Sequence, residues 1–130
     1  MEKEESQAPP ISRDASEHPV PAPWRPAVRE IVQAFARHDY QLGAGVPGVD
    51  PIPLEKAERI GQYIREYGEE LIALPDETWN SSVCTWTGSR WDLLVDLWTR
   101  SEGRSDLVLA LQVSEDADGF RFSVHMVYVP

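Results

Sequence analysis

The chain has 130 residues, 12 basic and 22 acidic side chains, and a formal net charge of −10. That length suits one domain with a core of its own, and the charge argues against the basic face that nucleic acid requires. A single cysteine, Cys84, excludes an internal disulfide and a cysteine-based metal site.

Residues 1–22 hold five acids, two bases and four prolines, with few large apolar side chains. This composition predicts a disordered tail and leaves 23–130 as the domain. The acidic start lacks the apolar run of a secretory signal, and no stretch reaches the length of a membrane span. A cytoplasmic location with no membrane contact is therefore expected.

Pro23 to Tyr40 predicts a first helix. Trp24, Val28, Ile31, Val32 and Phe35 share one helical face, and Pro26 fits the first turn, where a missing N–H costs little. His38 is expected in the last turn, where a cation suits the helix dipole. Gln41 to Pro53 carries three glycines and three prolines and reads as a connector. Its Gly43–Gly48 run has no following lysine and no preceding strand, so it is not a phosphate cradle.

Leu54 to Leu74 predicts a second helix, with Gly68 as the point where it weakens. Glu66, Glu69 and Glu70 form an acidic patch, with no base between residues 66 and 77. The patch is either a solvated face or a docking surface for a basic partner.

From Ser81 onward, apolar residues alternate with a period of two. Trp91, Leu93, Val95, Leu97 and Thr99 make one row; Leu107, Leu109, Leu111 and Val113 make another. In the last run, Phe120, Phe122, Val124, Met126 and Tyr128 are assigned to the same buried face. Glycine at Gly88 suits a tight turn that pairs Trp86 with Trp91 and Cys84 with Leu93. The next hairpins are expected to pair Val95 with Leu111 and Leu111 with Phe122. Their loops would span Ser101–Ser105 and Glu115–Asp118.

The opposite face is mixed. Asp92, Leu94, Asp96, Trp98, Gln112, Arg121 and His125 are its candidate binding residues, with Val108, Val127 and Val129 exposed beside them. An uncovered apolar patch of this kind marks an interface, with a protein partner or a second copy of the chain as the occupant.

Catalytic constellations fail on spacing. His125 and Ser123 sit i, i+2 on a strand, roughly 6.5–7 Å apart, and Asp92 and Asp96 stand about 13 Å apart. The latter exceeds the separations used in glycoside hydrolysis. His18, His38 and His125 fall in three unrelated places, so no catalytic residue, metal site or cofactor is expected.

Several segments carry a resemblance. Pro23-Trp24-Arg25, Gly48-Val49, Asp76-Glu77-Thr78-Trp79, Ser82-Val83-Cys84, Trp91-Asp92 through Asp96-Leu97-Trp98-Thr99, Glu102 through Leu107, and His125 through Pro130 together resemble an uncharacterised bacterial domain family over Pro19 to Pro130. That resemblance implies no known activity. A looser resemblance, of topology alone, is to the SnoaL-like, nuclear-transport-factor-like α+β cone, which implies a small-molecule pocket between helices and sheet.

The expected fold is α+β, with two N-terminal helices on one face of a roughly four-stranded antiparallel meander. The expected function is a small acidic protein-binding module, most concretely an immunity-type protein that neutralises a basic toxin. A SnoaL-like ligand-binding domain, enzymatic or not, and a structural homodimer are the alternatives.

Overall fold

Three short turns organise the chain. In the computed structural model, which describes residues 11–130, they join β1 (Val83–Trp86), β2 (Trp91–Thr99), β3 (Gly103–Asp116) and β4 (Gly119–Tyr128). The strands form one antiparallel sheet in the order β1-β2-β3-β4. Two helices precede it, α1 (Arg25–Ala36) and α2 (Leu54–Tyr67). The fold is α+β.

The first hairpin has the expected register: Trp86 pairs with Trp91 and Cys84 with Leu93, across a turn where Gly88 takes φ +104°. The other two hairpins slip by two residues from the expected pairing. Val95 meets Leu109 rather than Leu111, and Phe122 meets Val113 rather than Leu111. A slip of two keeps each apolar row on its face, so alternation alone does not discriminate. Turn geometry decides. The β2–β3 loop is only Arg100–Glu102, closed by Gly103 at φ +76°, and the β3–β4 loop is only Ala117–Asp118. A short loop closed by a left-handed glycine is a favoured hairpin connection.

A bulge corrects the last strand. Leu111 pairs with Val124 but Ala110 pairs with Met126, so His125 is an extra residue in β4. Beyond it the faces exchange. Val127 is fully buried opposite Leu109, and Met126 and Tyr128 turn to the other side, against the expectation for all three. Val108 also departs from expectation: it is buried rather than exposed.

The odd row of β2 (Trp91, Leu93, Val95, Leu97) and that of β3 (Leu107, Leu109, Leu111, Val113) are at most 1% exposed. Burying such side chains stabilises by roughly 1.5–3 kcal/mol each. Val28, Ile31, Val32 and Phe35 of α1, and Ala57, Ile60 and Ile64 of α2, belong to the same apolar cluster. Trp24 meets Trp91, Phe120 and Phe122 edge-on at centroid distances of 5.4, 5.1 and 5.8 Å, a favoured aromatic geometry.

Both helices are shorter than periodicity suggests. Past Ala36, His38 takes φ +67°, and the amides of His38 and Asp39 return to the carbonyls of Phe35 and Ala34. His38 is therefore the left-handed residue that closes the helix end, not a charge in its last turn. Helix α2 stops at Tyr67 with Gly68 at φ +88°. The following Glu70–Ile72 leaves to pair with the end of β2.

Of the stretch read as a tail, residues 1–10 lie outside the described residues. Within residues 11–22 several side chains and one backbone bridge contact the sheet. His18 and Cys84 exchange backbone hydrogen bonds of 2.9 and 2.7 Å, Trp91 Nε1 donates to Ser12 O at 2.8 Å, and Val20 is fully buried.

The bulge at His125 sets a test. Val127→Asp should cost more than about 4 kcal/mol, from an unpaired charge in the core, whereas Met126→Asp should cost no more than about 1 kcal/mol. Urea unfolding midpoints of the two variants check this. The reverse order would restore the regular ladder.

Candidate functional site

Strands β2, β3 and β4 form a groove of about 480 Å³ on the even-numbered side of β2. Asp92 and Leu94 line it from β2, Gln112 from β3, and His125, Met126 and Tyr128 from β4. Arg90 closes one end, with its Nε 3.1 Å from Asp92 Oδ1. Ala110, 8% exposed, lies between Leu94 and Met126 in the register and supplies the floor. The bulge builds one wall: His125 and Met126 both oppose Ala110, so two consecutive side chains reach the same groove.

Four of the seven sequence candidates, Asp92, Leu94, Gln112 and His125, therefore meet in one place. The other three do not. The Asp96 carboxylate accepts a hydrogen bond from Ser81 Oγ, while its backbone N–H donates to Ser82 Oγ at 3.1 Å and its carbonyl accepts from Thr78 Oγ1 at 2.7 Å. Trp98 is half-buried, with its ring over Gly103. Arg121 is held at the far edge by Asp50, 2.8 Å away.

Arg90, Met126 and Tyr128 were missed. No alternation marks the end of β4, because Met126, Val127, Tyr128 and Val129 are all apolar or aromatic.

The acidic patch is partly engaged within the chain. Glu70 pairs with Arg100 at 3.0 Å, and Glu69 accepts from Ser101 Oγ. The Arg100 hydrogen bond, then its charge, lowers the Glu70 carboxyl below the ordinary range. Both glutamates thus hold the β2–β3 turn. Glu66 accepts from Gln62 at 3.0 Å on exposed helix surface.

Over residues 32–130 the sequence matches the family described as a domain of unknown function, DUF7668. The chain belongs to that family. Comparison with curated proteins and with solved structures returns no match. The DUF7668 match begins inside α1 and takes in α2, the whole sheet and every groove residue.

In this DUF7668 chain one arrangement superficially suggests hydrolytic chemistry. His18 Nε2 is 2.9 Å from Asp14 Oδ1 and 3.2 Å from Ser16 Oγ. Acid and hydroxyl converge on the same ring nitrogen, whereas a catalytic triad needs one on each. Hydrogen bonds from Ser16, then His18, hold the Asp14 carboxyl at about 2. Among the described residues, no group of three or more His, Cys, Asp or Glu side chains suits a metal ion, and no helix is long and apolar enough to cross a membrane.

Cys84 is buried, and burial first, then the Asp92 charge, push its thiol from 9.0 up to about 11. The folded state therefore keeps this proton after the unfolded chain has lost it. The thiol's contribution to stability is complete below pH 9 and should fall as pH rises from 9 towards 11. Cys84→Ala should flatten that stretch of the stability profile, and a disulfide reagent at pH 8 should label wild type only after denaturation. Rapid labelling of the native protein would place the thiol in water.

Proposed function

We propose that this DUF7668 chain is a non-catalytic protein-binding module. In this reading its two helices cover the odd-row face of the sheet, and the groove on the even-row face receives a basic partner. The observation that carries it is the meeting of Asp92, Leu94, Gln112 and His125, from three strands, around one groove. Leu94 is 38% exposed on the β2 side of the groove, an unusual position for a leucine on a central strand. Apolar contact from Leu94, Ala110 and Met126, ringed by Asp92, Gln112 and His125, has the composition of an interface: a dry centre and a polar rim.

The net charge of −10 supports a basic partner through long-range attraction, which raises the association rate more than the final affinity. An immunity-type protein that neutralises a basic toxin is the most concrete form of this function. A buried aromatic cluster of Trp24, Trp91 and Phe122 occupies part of the interior that a SnoaL-like ligand pocket would need.

The test is affinity capture from the source organism's lysate, followed by titration of the captured protein. Leu94→Arg should weaken binding at least tenfold, about 1.4 kcal/mol. Gln62→Arg, which makes the same charge change on the exposed side of α2, should leave it within twofold. Equal retention by Leu94→Arg would remove the groove from the interface. Recovery of the chain alone, as a dimer that Leu94→Arg dissociates, would replace the partner with a second copy.

A further inference from the structure

A second cleft shares no residue with the groove. It has a volume of about 590 Å³ and is lined by Pro19, Arg25, Arg29, Asp76, Trp79 and Asn80. Arg25 and Arg29 project from consecutive turns at the start of α1. Their guanidinium carbons lie 5.3 and 5.4 Å from the centre of the same indole, Trp79.

Both guanidiniums are fixed in place. Arg25 Nε donates to Val20 O at 3.0 Å, and Arg29 Nη1 donates to Leu74 O at 2.6 Å. The second terminal nitrogen of Arg29 is paired with the Asp76 carboxylate. The two terminal nitrogens of Arg25 have no acceptor among the described residues. Trp79 is 6% exposed, and its Nε1 likewise finds no hydrogen-bond partner there. The three charged residues of the lining sum to +1, against −10 for the whole chain.

We propose that this cleft is an oxyanion site, which takes the carboxylate or phosphate group of a small molecule on the Arg25 guanidinium. The physical case is preorganisation. A guanidinium held over an aromatic ring and tied by one backbone bond has lost most of its freedom before a ligand arrives. Its remaining donors form a fork that fits two oxygens of one anion. Asp76 already demonstrates the chemistry on the neighbouring arginine: a carboxylate accepts from Arg29 at the same cleft. The site is independent of the sheet groove, so its failure would leave the protein-binding reading standing.

The experiment is a nitrogen-15 NMR titration of the full chain with sodium phosphate and, separately, sodium acetate. Sodium chloride at matched ionic strength and pH is the reference. The Trp79 indole N–H and the Arg25 Nε–H should shift saturably with an oxyanion and not with chloride. Saturation by only one of the two salts identifies which oxyanion the cleft takes. Arg25→Gln should weaken binding at least tenfold. Asp76→Asn should strengthen it at least threefold, because it removes a competing negative charge and frees a second fork. The Asp76 side chain is 91% exposed, so this variant keeps the fold and carries the test even where Arg25→Gln disturbs Val20. The proposal is overturned if neither oxyanion saturates beyond chloride, or if Asp76→Asn binds no more tightly than wild type.

Discussion

A β-sheet must satisfy the backbone groups along its two outer edges, and in this chain irregular segments meet much of that demand. His18 pairs with Cys84 on the outside of β1. On the outside of β2, beyond the end of β1, Ser82 Oγ and Thr78 Oγ1 serve the N–H and carbonyl of Asp96; then Glu70 and Ile72 take over at Arg100 and Trp98. On the outside of β4, Gly48 and Asp50 bond the two polar groups of Phe122, Lys56 Nζ reaches Val124 O, and Tyr63 accepts from Val129 N. Edges closed in this way offer little template for another strand. They also explain the connector rich in glycine and proline: its Gly48–Asp50 stretch straps the β4 edge.

The rows of alternating residues were legible because each apolar row has one buried face, and the tight turn at Gly88 was legible because glycine takes a φ that other residues avoid. The two-residue slips were not legible, since Val95 packs as well opposite Leu109 as opposite Leu111 as far as pattern goes. The β4 bulge was equally silent, and so was a second register shift, in β3, where Asp96 pairs with Val108 but Trp98 with Arg104. The one in β3 has a local trace only in hindsight: Ser105 Oγ accepts from Leu107 N and donates to Leu97 O, filling a break in the ladder with a buried hydroxyl. The end of α2 was misplaced because the helical pattern continues past Gly68 while the backbone of Glu70–Ile72 is claimed by β2, and the end of α1 because His38 turns left-handed.

The candidate site shows the same division. Asp92, Leu94 and Gln112 sit on regular strand, where period two assigns a face, and they meet in the groove. Met126 and Tyr128 lie past the bulge and were assigned to the core. Asp96 and Trp98 have the right parity but lie towards the end of β2 that the Asp76–Asn80 turn and Gly103 contact. Charge runs mislead for a related reason. Glu69 and Glu70 look free in sequence, yet their partners Ser101 and Arg100 are thirty and more residues away.

The sheet joins two very different kinds of contact. Its three hairpins close through loops of a few residues, so they form from the chain's nearest neighbours and close quickly. The straps at His18, Gly48–Asp50 and Glu70–Ile72 come from distant parts of the chain, and contacts of that separation assemble slowly. Without those straps the meander would stand with strand edges open. A change that loosens a strap would therefore reopen an edge on which another copy of the chain could pair.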